Sequence, residues 1–307
     1  MKQKLLKPVI TNEKLIAALA VIFAVVIFAF FRIFFYQGAY GNPRQALLQM
    51  PEADNAAQTS GQAPEEVGSR KNAGVRIPIL LYRHIGPVAK DADPLQKDRT
   101  VSPENFELQV AWLRGQGYES VNLSDLLEHF NNQKPLPQKA VVFTFNNGYQ
   151  DTLAYAPATL KKYGFTGDFG VVTQFPGIAV GESAYASWQD LRQAKSQGME
   201  IVSQTQDNFD GTDKKYDNGF ILRNLSDSQK DLKASLNLNL PILIYPFGHY
   251  DARYLGLARQ AGFSMGLTEK SGTLIQADSL MEIPRLEVHG NDSLETFKKL
   301  IQTSDAK

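Results

Sequence analysis

Residues 140–149 read Ala-Val-Val-Phe-Thr-Phe-Asn-Asn-Gly-Tyr, and this stretch decides the fold. Its first six residues are near-continuously apolar and rich in β-branched and aromatic types, the pattern of a strand buried on both faces. Two asparagines and Gly148 then turn the chain, and a helical pattern follows over 151–163. The same alternation recurs outward from here. Further strands are expected at 77–82, 120–122, 168–172, 200–203, 241–245 and 264–267. Helices are expected at 103–116, 124–130, 188–196, 226–237 and 251–260, with a last one from 293 to about 302. Ser102-Pro103-Glu104, Ser124 and Ser226 read as helix starts. Gly117, Gly164, Gly198 and Gly262 read as left-handed helix stops. Strands alternating with helices predict a parallel α/β fold, and a barrel best fits the count. No internal repeat is visible.

The 307 residues suffice for one large domain with appendages. Charge is balanced, 32 basic against 32 acidic residues, which gives no broad electrostatic argument for nucleic acid or anionic lipid. Cysteine is absent, so disulfides and thiolate metal sites are excluded. Leu15 to Phe31 is an unbroken apolar run, extended past Arg32 by Ile33-Phe34-Phe35-Tyr36. As a helix rising about 1.5 Å per residue it spans a hydrocarbon core of roughly 30 Å. Lys2, Lys4, Lys7 and Lys14 precede it. Residues 1–14 therefore read as a cytoplasmic tail, 15–36 as a single membrane anchor, and the rest as lying outside the cell. A cleaved signal peptide is the rival reading, disfavoured because the run is long and no small-x-small site follows it. Residues 37–75, rich in Gln, Ala, Gly, Pro, Glu and Asn, read as a flexible linker, and the folded domain as 76–307.

Several segments of this domain resemble the polysaccharide deacetylases with a NodB-homology domain, carbohydrate esterase family 4, and among them the membrane-associated exopolysaccharide N-deacetylases. Pro78-Ile79-Leu80-Leu81-Tyr82-Arg83-His84-Ile85 is similar to the family's opening strand, which usually ends Tyr-His-x-Ile. Ser102–Phe106 and Ser120–Leu123 are similar to that subfamily. Thr144-Phe145-Asn146-Asn147-Gly148-Tyr149 matches the first catalytic motif in all but its two acids. Gly198–Asn208, Tyr245-Pro246-Phe247-Gly248 and Val288-His289-Gly290-Asn291-Asp292 also fit. The resemblance spans roughly 76–303. It implies a distorted (β/α) barrel of the deacetylase type, of about seven strands.

The resemblance also implies a site. The family holds a divalent metal, usually zinc, with one Asp and two His, uses a second Asp as general base, and protonates the leaving amine with a His. Those roles fall on Asn147, Gln204 and Asn208 for the metal, Asn146 for the base and Arg83 for the acid, and all five differ from the family pattern. Amides are poor zinc ligands. Asn does not accept a proton near neutral pH, and Arg stays protonated. Two adjacent carboxylates without a cation would repel, and two asparagines remove that cost. The expectation is therefore a protein with no cofactor and no active catalytic residue. It would keep a cleft for a cell-surface or cell-wall polysaccharide containing N-acetylated amino sugars, or dock to membrane-bound polysaccharide machinery. Arg83, Asn146, Asn147, Gln204 and Asn208 would line that cleft, with Tyr149, Tyr245 and Phe247 offering ring faces to sugars. The alternative is an active metal-dependent N-deacetylase with altered site residues, drawing on His84, His249, Asp207 or Asp151. The bland readings are that Asn146 and Asn147 are turn residues and that Gln204 and Asn208 are loop polars. His84 and His249 read as lining the cleft mouth, His129 as a surface residue, His289 as structural and Trp188 as packing.

Overall fold

All six residues of the strand Ala140–Phe145 are buried, and the five apolar ones divide between two apolar layers. Val141, Phe143 and Phe145 point into one cluster with Phe106, Val110, Leu160, Leu191 and Phe297, the layer between sheet and outer helices. Ala140 and Val142 point into the other with Ile79, Val202, Ile244 and Leu267, the inside of the curled sheet. A strand sandwiched in this way has no polar face, which is why its sequence is continuous rather than alternating. The structure, a computed structural model, describes residues 74–305 apart from Glu182. The expected tail at 1–14, the anchor at 15–36 and residues 37–73 of the expected linker lie outside the described residues. Among the described residues no helix is long and apolar enough to cross a membrane.

Eight strands form the main sheet: β1 (Ile79–Tyr82), β2 (Glu119–Ser120), β3 (Ala140–Phe145), β4 (Asp168–Val171), β5 (Glu200–Ser203), β6 (Ile242–Ile244), β7 (Met265–Leu267) and β8 (Leu286–Glu287). Seven lie side by side in the order β7-β6-β5-β4-β3-β1-β8, and β2 pairs with the start of β3. Every pairing is parallel. The two ends of this path do not pair; a single bridge, Leu267 to Ile283, joins β7 to the segment leading into β8. The sheet is thus a curled half-barrel, open where the sequence predicted a barrel. The outermost strand, β8, was not expected from the sequence.

The helices are α1 (Pro94–Arg99), α2 (Pro103–Gly115), α3 (Leu123–Asn132), α4 (Gln150–Lys162), α5 (Trp188–Ser196), α6 (Asn218–Leu236), α7 (Ala252–Gln260) and α8 (Leu294–Asp305). The Ser102 hydroxyl accepts from the Asn105 amide and opens α2 as expected, with Pro103 in the first turn. Two starts differ from the sequence reading. Asn122, not Ser124, caps α3, in a reciprocal box with Asp125. Asp217, not Ser226, caps α6, whose early turns bury Ile221 and Leu225. The four expected left-handed stops at Gly117, Gly164, Gly198 and Gly262 all have positive φ. The domain also begins one residue before its expected start, since Val75-Arg76 pairs antiparallel with Leu274-Ile275.

At the amino-terminal ends of the strands, α3 is docked by two neighbouring carboxyl groups. Asp168 and Glu200 are paired residues of β4 and β5. Asp168 Oδ1 accepts from the Leu123 amide at 3.0 Å, and Glu200 Oε2 from the Ser124 amide at 3.0 Å. Asp168 is wholly buried and its Oδ2 has no further partner in the described geometry. Burial, with the neighbouring Glu200 charge second, pushes its carboxyl pKa well above the ordinary value. A raised native pKa means that the folded form binds the proton more tightly than the unfolded form. Its contribution is therefore full below about pH 3.9 and is lost as pH rises through the native pKa. Asp168→Asn keeps the acceptor for Leu123 and removes the ionisable group. It is expected to raise the melting temperature by several degrees near neutrality, equivalent to about 1–3 kcal/mol, with the gain shrinking toward pH 4. Melts from pH 4 to 8 that show no pH-dependent gain would rule this out.

Candidate functional site

In a parallel α/β sheet the residues just past the carboxyl ends of the strands converge on one face. Arg83 follows β1, Asn146 and Asn147 follow β3, Gln204 follows β5, Glu269 lies just past β7 and Glu287 ends β8. The structure brings all five expected site positions together in two hydrogen-bonded sets, which meet at the adjacent residues Asn146 and Asn147.

Gln204 ties the first half. Its Oε1 accepts from the Asn147 backbone amide at 2.8 Å. A backbone N–H only donates, so the other side-chain atom must be the NH2 group. That Nε2 donates to Asn147 Oδ1 at 2.5 Å and reaches Asn208 Oδ1 at 3.4 Å. Asn147 Nδ2 in turn donates to the Tyr149 hydroxyl at 2.7 Å. Asn147, Thr205 and Asn208 all have left-handed φ, 69°, 67° and 59°. Backbone in that region is costly for residues with a side chain, least so for Asn; the amide network holds Asn147 and Asn208, and Ser203 Oγ accepts from the Thr205 amide at 3.1 Å. Gly170 makes room beneath: a Cβ there would lie 2.8 Å from Gln204 Oε1 and 2.6 Å from Ile244 Cδ1. The glycine and the glutamine are sterically matched.

Arg285 ties the second half. It is 1% exposed, donates from Nε to the Thr268 carbonyl at 2.8 Å, and donates from one terminal nitrogen to Thr144 Oγ1 at 3.0 Å and Asn146 Oδ1 at 2.9 Å. Its other terminal nitrogen has no hydrogen-bond partner among the described residues. Burial pulls the guanidinium pKa down to about 9, so it remains a cation at neutral pH. Arg83 sits above, donating to Glu287 at 2.8 Å and Glu269 at 2.9 Å. Burial works against its charge, but the two carboxylates outweigh that and raise its pKa. Asn146 Nδ2 reaches Glu269 Oε1 at 3.4 Å, closing the set.

This donor set does not fit a divalent cation. The three positions that would hold zinc carry neutral amides, and those amides already satisfy one another. Among the described residues no group of three or more His, Asp or Glu side chains is placed to hold a metal.

The aromatic expectations divide. Tyr149 lies at the cleft with its ring stacked on His84 at 3.8 Å, and His84 Nδ1 pairs with Asp151 Oδ2 at 2.8 Å. Phe247 is 50% exposed with a φ of 58°. Tyr245 is a correction: it is fully buried, stacked on Tyr250 and edge-on to Tyr254, and cannot meet a sugar. It continues β6 into the apolar layer beneath α7. His249 lies at the surface paired with Asp210, His289 pairs with Asp98, and Trp188 packs on the core. His129 Nδ1 donates to the Lys134 carbonyl, at the end of α3. Sequence reading missed Arg285, Glu269 and Glu287. Glu269 had one available signal, its position just past an apolar strand.

Residues 133–266 match the family described as polysaccharide deacetylase, a range that holds Asn146, Asn147, Gln204 and Asn208 and excludes Arg83 and Arg285. YxkH of Bacillus subtilis, described as a polysaccharide deacetylase, is 24% identical over 232 residues, covering 74% of this chain and 77% of its own. The poly-beta-1,6-N-acetyl-D-glucosamine N-deacetylase of Escherichia coli K12 is 26% identical over 249 residues, 69% of this chain and 37% of that longer protein. Among solved structures, the Streptococcus pyogenes deacetylase PplD, in complex with acetate, superposes with a TM-score of 0.66 at 24% identity, over 76% of this chain and 99% of that one. IcaB from Ammonifex degensii superposes with a TM-score of 0.64 at 20% identity, over 74% and 97%. At these identities the superpositions speak for the half-barrel fold alone. The family match over residues 133–266 marks a polysaccharide deacetylase domain in this chain.

Proposed function

We propose that this chain is a non-catalytic, membrane-tethered member of its family that binds or regulates an amino-sugar polysaccharide at the cell surface. One observation carries the reading: Gln204 Nε2 donates to both Asn147 and Asn208, so a neutral hydrogen-bonded nitrogen joins the three positions where a cation would be held. Without a metal, water keeps a pKa of about 15.7 rather than about 7 and is a poor nucleophile at neutral pH. Asn146 cannot take the proton, because its oxygen accepts from a guanidinium and its nitrogen faces a carboxylate. Arg83, held by two glutamates, cannot give a proton to a leaving amine. Support for an amino-sugar polysaccharide comes from relatives named for acting on poly-β-1,6-N-acetyl-D-glucosamine. Tethering rests on the apolar run at 15–36.

A second reading, altered catalysis, draws on the His84–Asp151 pair at the cleft mouth. Elemental analysis and acetate release separate the two. The purified full-length chain is expected to hold far less than one equivalent of zinc and to release no metal-dependent acetate from poly-β-1,6-N-acetyl-D-glucosamine. Stoichiometric zinc with chelator-sensitive release would sink the proposal. The positional assignment has its own test. Combining Arg83→His, Asn146→Asp, Asn147→Asp, Gln204→His and Asn208→His is expected to create about one zinc equivalent per chain. A folded fivefold variant that takes up no zinc would show the positions misassigned. Finally, Gly170→Ala is expected to lower stability by about 1–3 kcal/mol, because Gln204 and Ile244 must both move. A wild-type melting curve would contradict the tight packing at Gln204.

A further inference from the structure

Asn-Gly occurs twice in the chain, at 147–148 and at 218–219, and the first pair sits in the floor of the site. The turn imposes the glycine: Gly148 has a φ of 72°, and a Cβ there would lie 3.1 Å from Val171 Cγ2. An asparagine followed by glycine is the least hindered setting for attack by the main chain on the side-chain amide, because the attacking nitrogen belongs to a residue with no side chain. The covalent chain itself holds that nitrogen near the Asn147 carbonyl carbon. Among the described residues the Gly148 amide donates no backbone hydrogen bond. Asn147 is also the floor residue most open to water, 9% exposed against 1% for Asn146 and 2% for Gln204.

The neighbours of Asn147 restrain this reaction and fit its product. Asn147 Oδ1 accepts from Gln204 Nε2 at 2.5 Å, and Nδ2 donates to the Tyr149 hydroxyl at 2.7 Å. Closing an imide ring re-aims the carbonyl and expels the nitrogen, so it competes with the bonds at both ends. An acid at 147 keeps its partners. Gln204 Nε2 is a donor in either case, and the Tyr149 hydroxyl, which now accepts, is able to donate to a carboxylate oxygen. Asn146 beside it is neutral, so a single carboxylate meets no adjoining acid.

We propose that Asn147 is a site of spontaneous deamidation in the folded chain, with a rate set by its bonds to Gln204 and Tyr149. Hydroxide takes the Gly148 N–H proton, the nitrogen bonds to Asn147 Cγ, and the Cγ–Nδ2 bond breaks; the departing nitrogen takes a proton from water and leaves as ammonia. Water then adds to Cγ, the Cγ–N bond breaks, and the Gly148 N–H is restored. One water is consumed and one ammonia released, with no change of oxidation state. Addition of water to the other imide carbonyl would lengthen the main chain by one carbon, which the bond from the Ala186 amide to the Gly148 carbonyl at 3.0 Å opposes. Conversion returns one of the five replaced positions to the acid that the motif resemblance expects there. Gln204 and Asn208 stay amides, so the floor gains a negative charge without a complete metal site.

The test is peptide mapping by mass spectrometry of the detergent-solubilised full-length chain after incubation at mildly alkaline pH. The wild type is expected to accumulate acid at 147, faster as pH rises. Tyr149→Phe removes the acceptor for Nδ2 and is expected to raise that rate about two- to tenfold, the weight of one hydrogen bond, with the rate at Asn218 unchanged. An unchanged rate at 147 would overturn the control by Tyr149. Equal acceleration at 147 and 218 would assign release to general unfolding and overturn the local control. Absence of acid at 147 in both folded proteins, while the urea-unfolded chain converts, would overturn the site. Asn147→Asp supplies the product directly and is expected to fold and melt close to the wild type. A variant that does not fold, or a main product with the lengthened chain, would overturn the fit of the acid to the floor.

Discussion

The hydrogen bonds from one primary amide, that of Gln204, hold the site in its present form. A cation would organise the ends of β3 and β5 by drawing charged ligands inward; here a neutral NH2 group donates to two neighbouring oxygens, and its carbonyl takes a backbone amide. Neutral groups in a buried place avoid the desolvation and repulsion that a pair of unmetallated carboxylates would bring. These bonds hold the left-handed backbone at Asn147 and Asn208, while the Thr205 amide donates instead to Ser203 Oγ at 3.1 Å. Gly170 extends the same logic downward, since any larger residue would meet the glutamine.

The charged half of the site is rebuilt with equal consistency. Arg285 is a wholly buried cation whose direct acceptors are a carbonyl, a hydroxyl and the Asn146 amide, none of them charged. The compensating negative charge stands one layer up, on Glu269 and Glu287, which also fix Arg83. Two arginines and two glutamates leave this layer without net charge. Substituting Arg83 alone would leave both glutamates facing each other, which is the costlier state for a partly buried pair.

Much of the fold was legible because its strands are buried on both faces. Ala140–Phe145 and Glu200–Ser203 run as read, since continuous apolar sequence has a structural cause here. β8 was illegible for the opposite reason: two residues, one of them a site glutamate, make no run. Helix α1 buries no residue, so it imposes no apolar period on its sequence. The first turns of α6 precede the helix expected at 226–237: Asp217, Asn218 and Gly219 are turn-type residues, and the cap geometry shows them to be a helix start. At the site, Asn146, Asn147, Gln204 and Asn208 were found through their motif context. Arg285 and Glu269 act through contacts between segments far apart in the chain, which no local pattern records. Tyr245 was misplaced because its motif predicted a cleft position while its packing is set by α7.

The position of β8 bears on how the chain reaches its folded state. Leu80 of β1 pairs with Leu286, so the sheet lacks one edge until its last-made strand emerges. Until then β1 presents unpaired amide and carbonyl groups beside apolar side chains, a template for pairing with another molecule. Such long-range closure is entropically slow. Arg285 lies next to Leu286 on this final segment, so the cation beneath Asn146 and the sheet's last pairing arrive in one event. The charge pattern beneath Asn146 is thus complete only once this strand has paired.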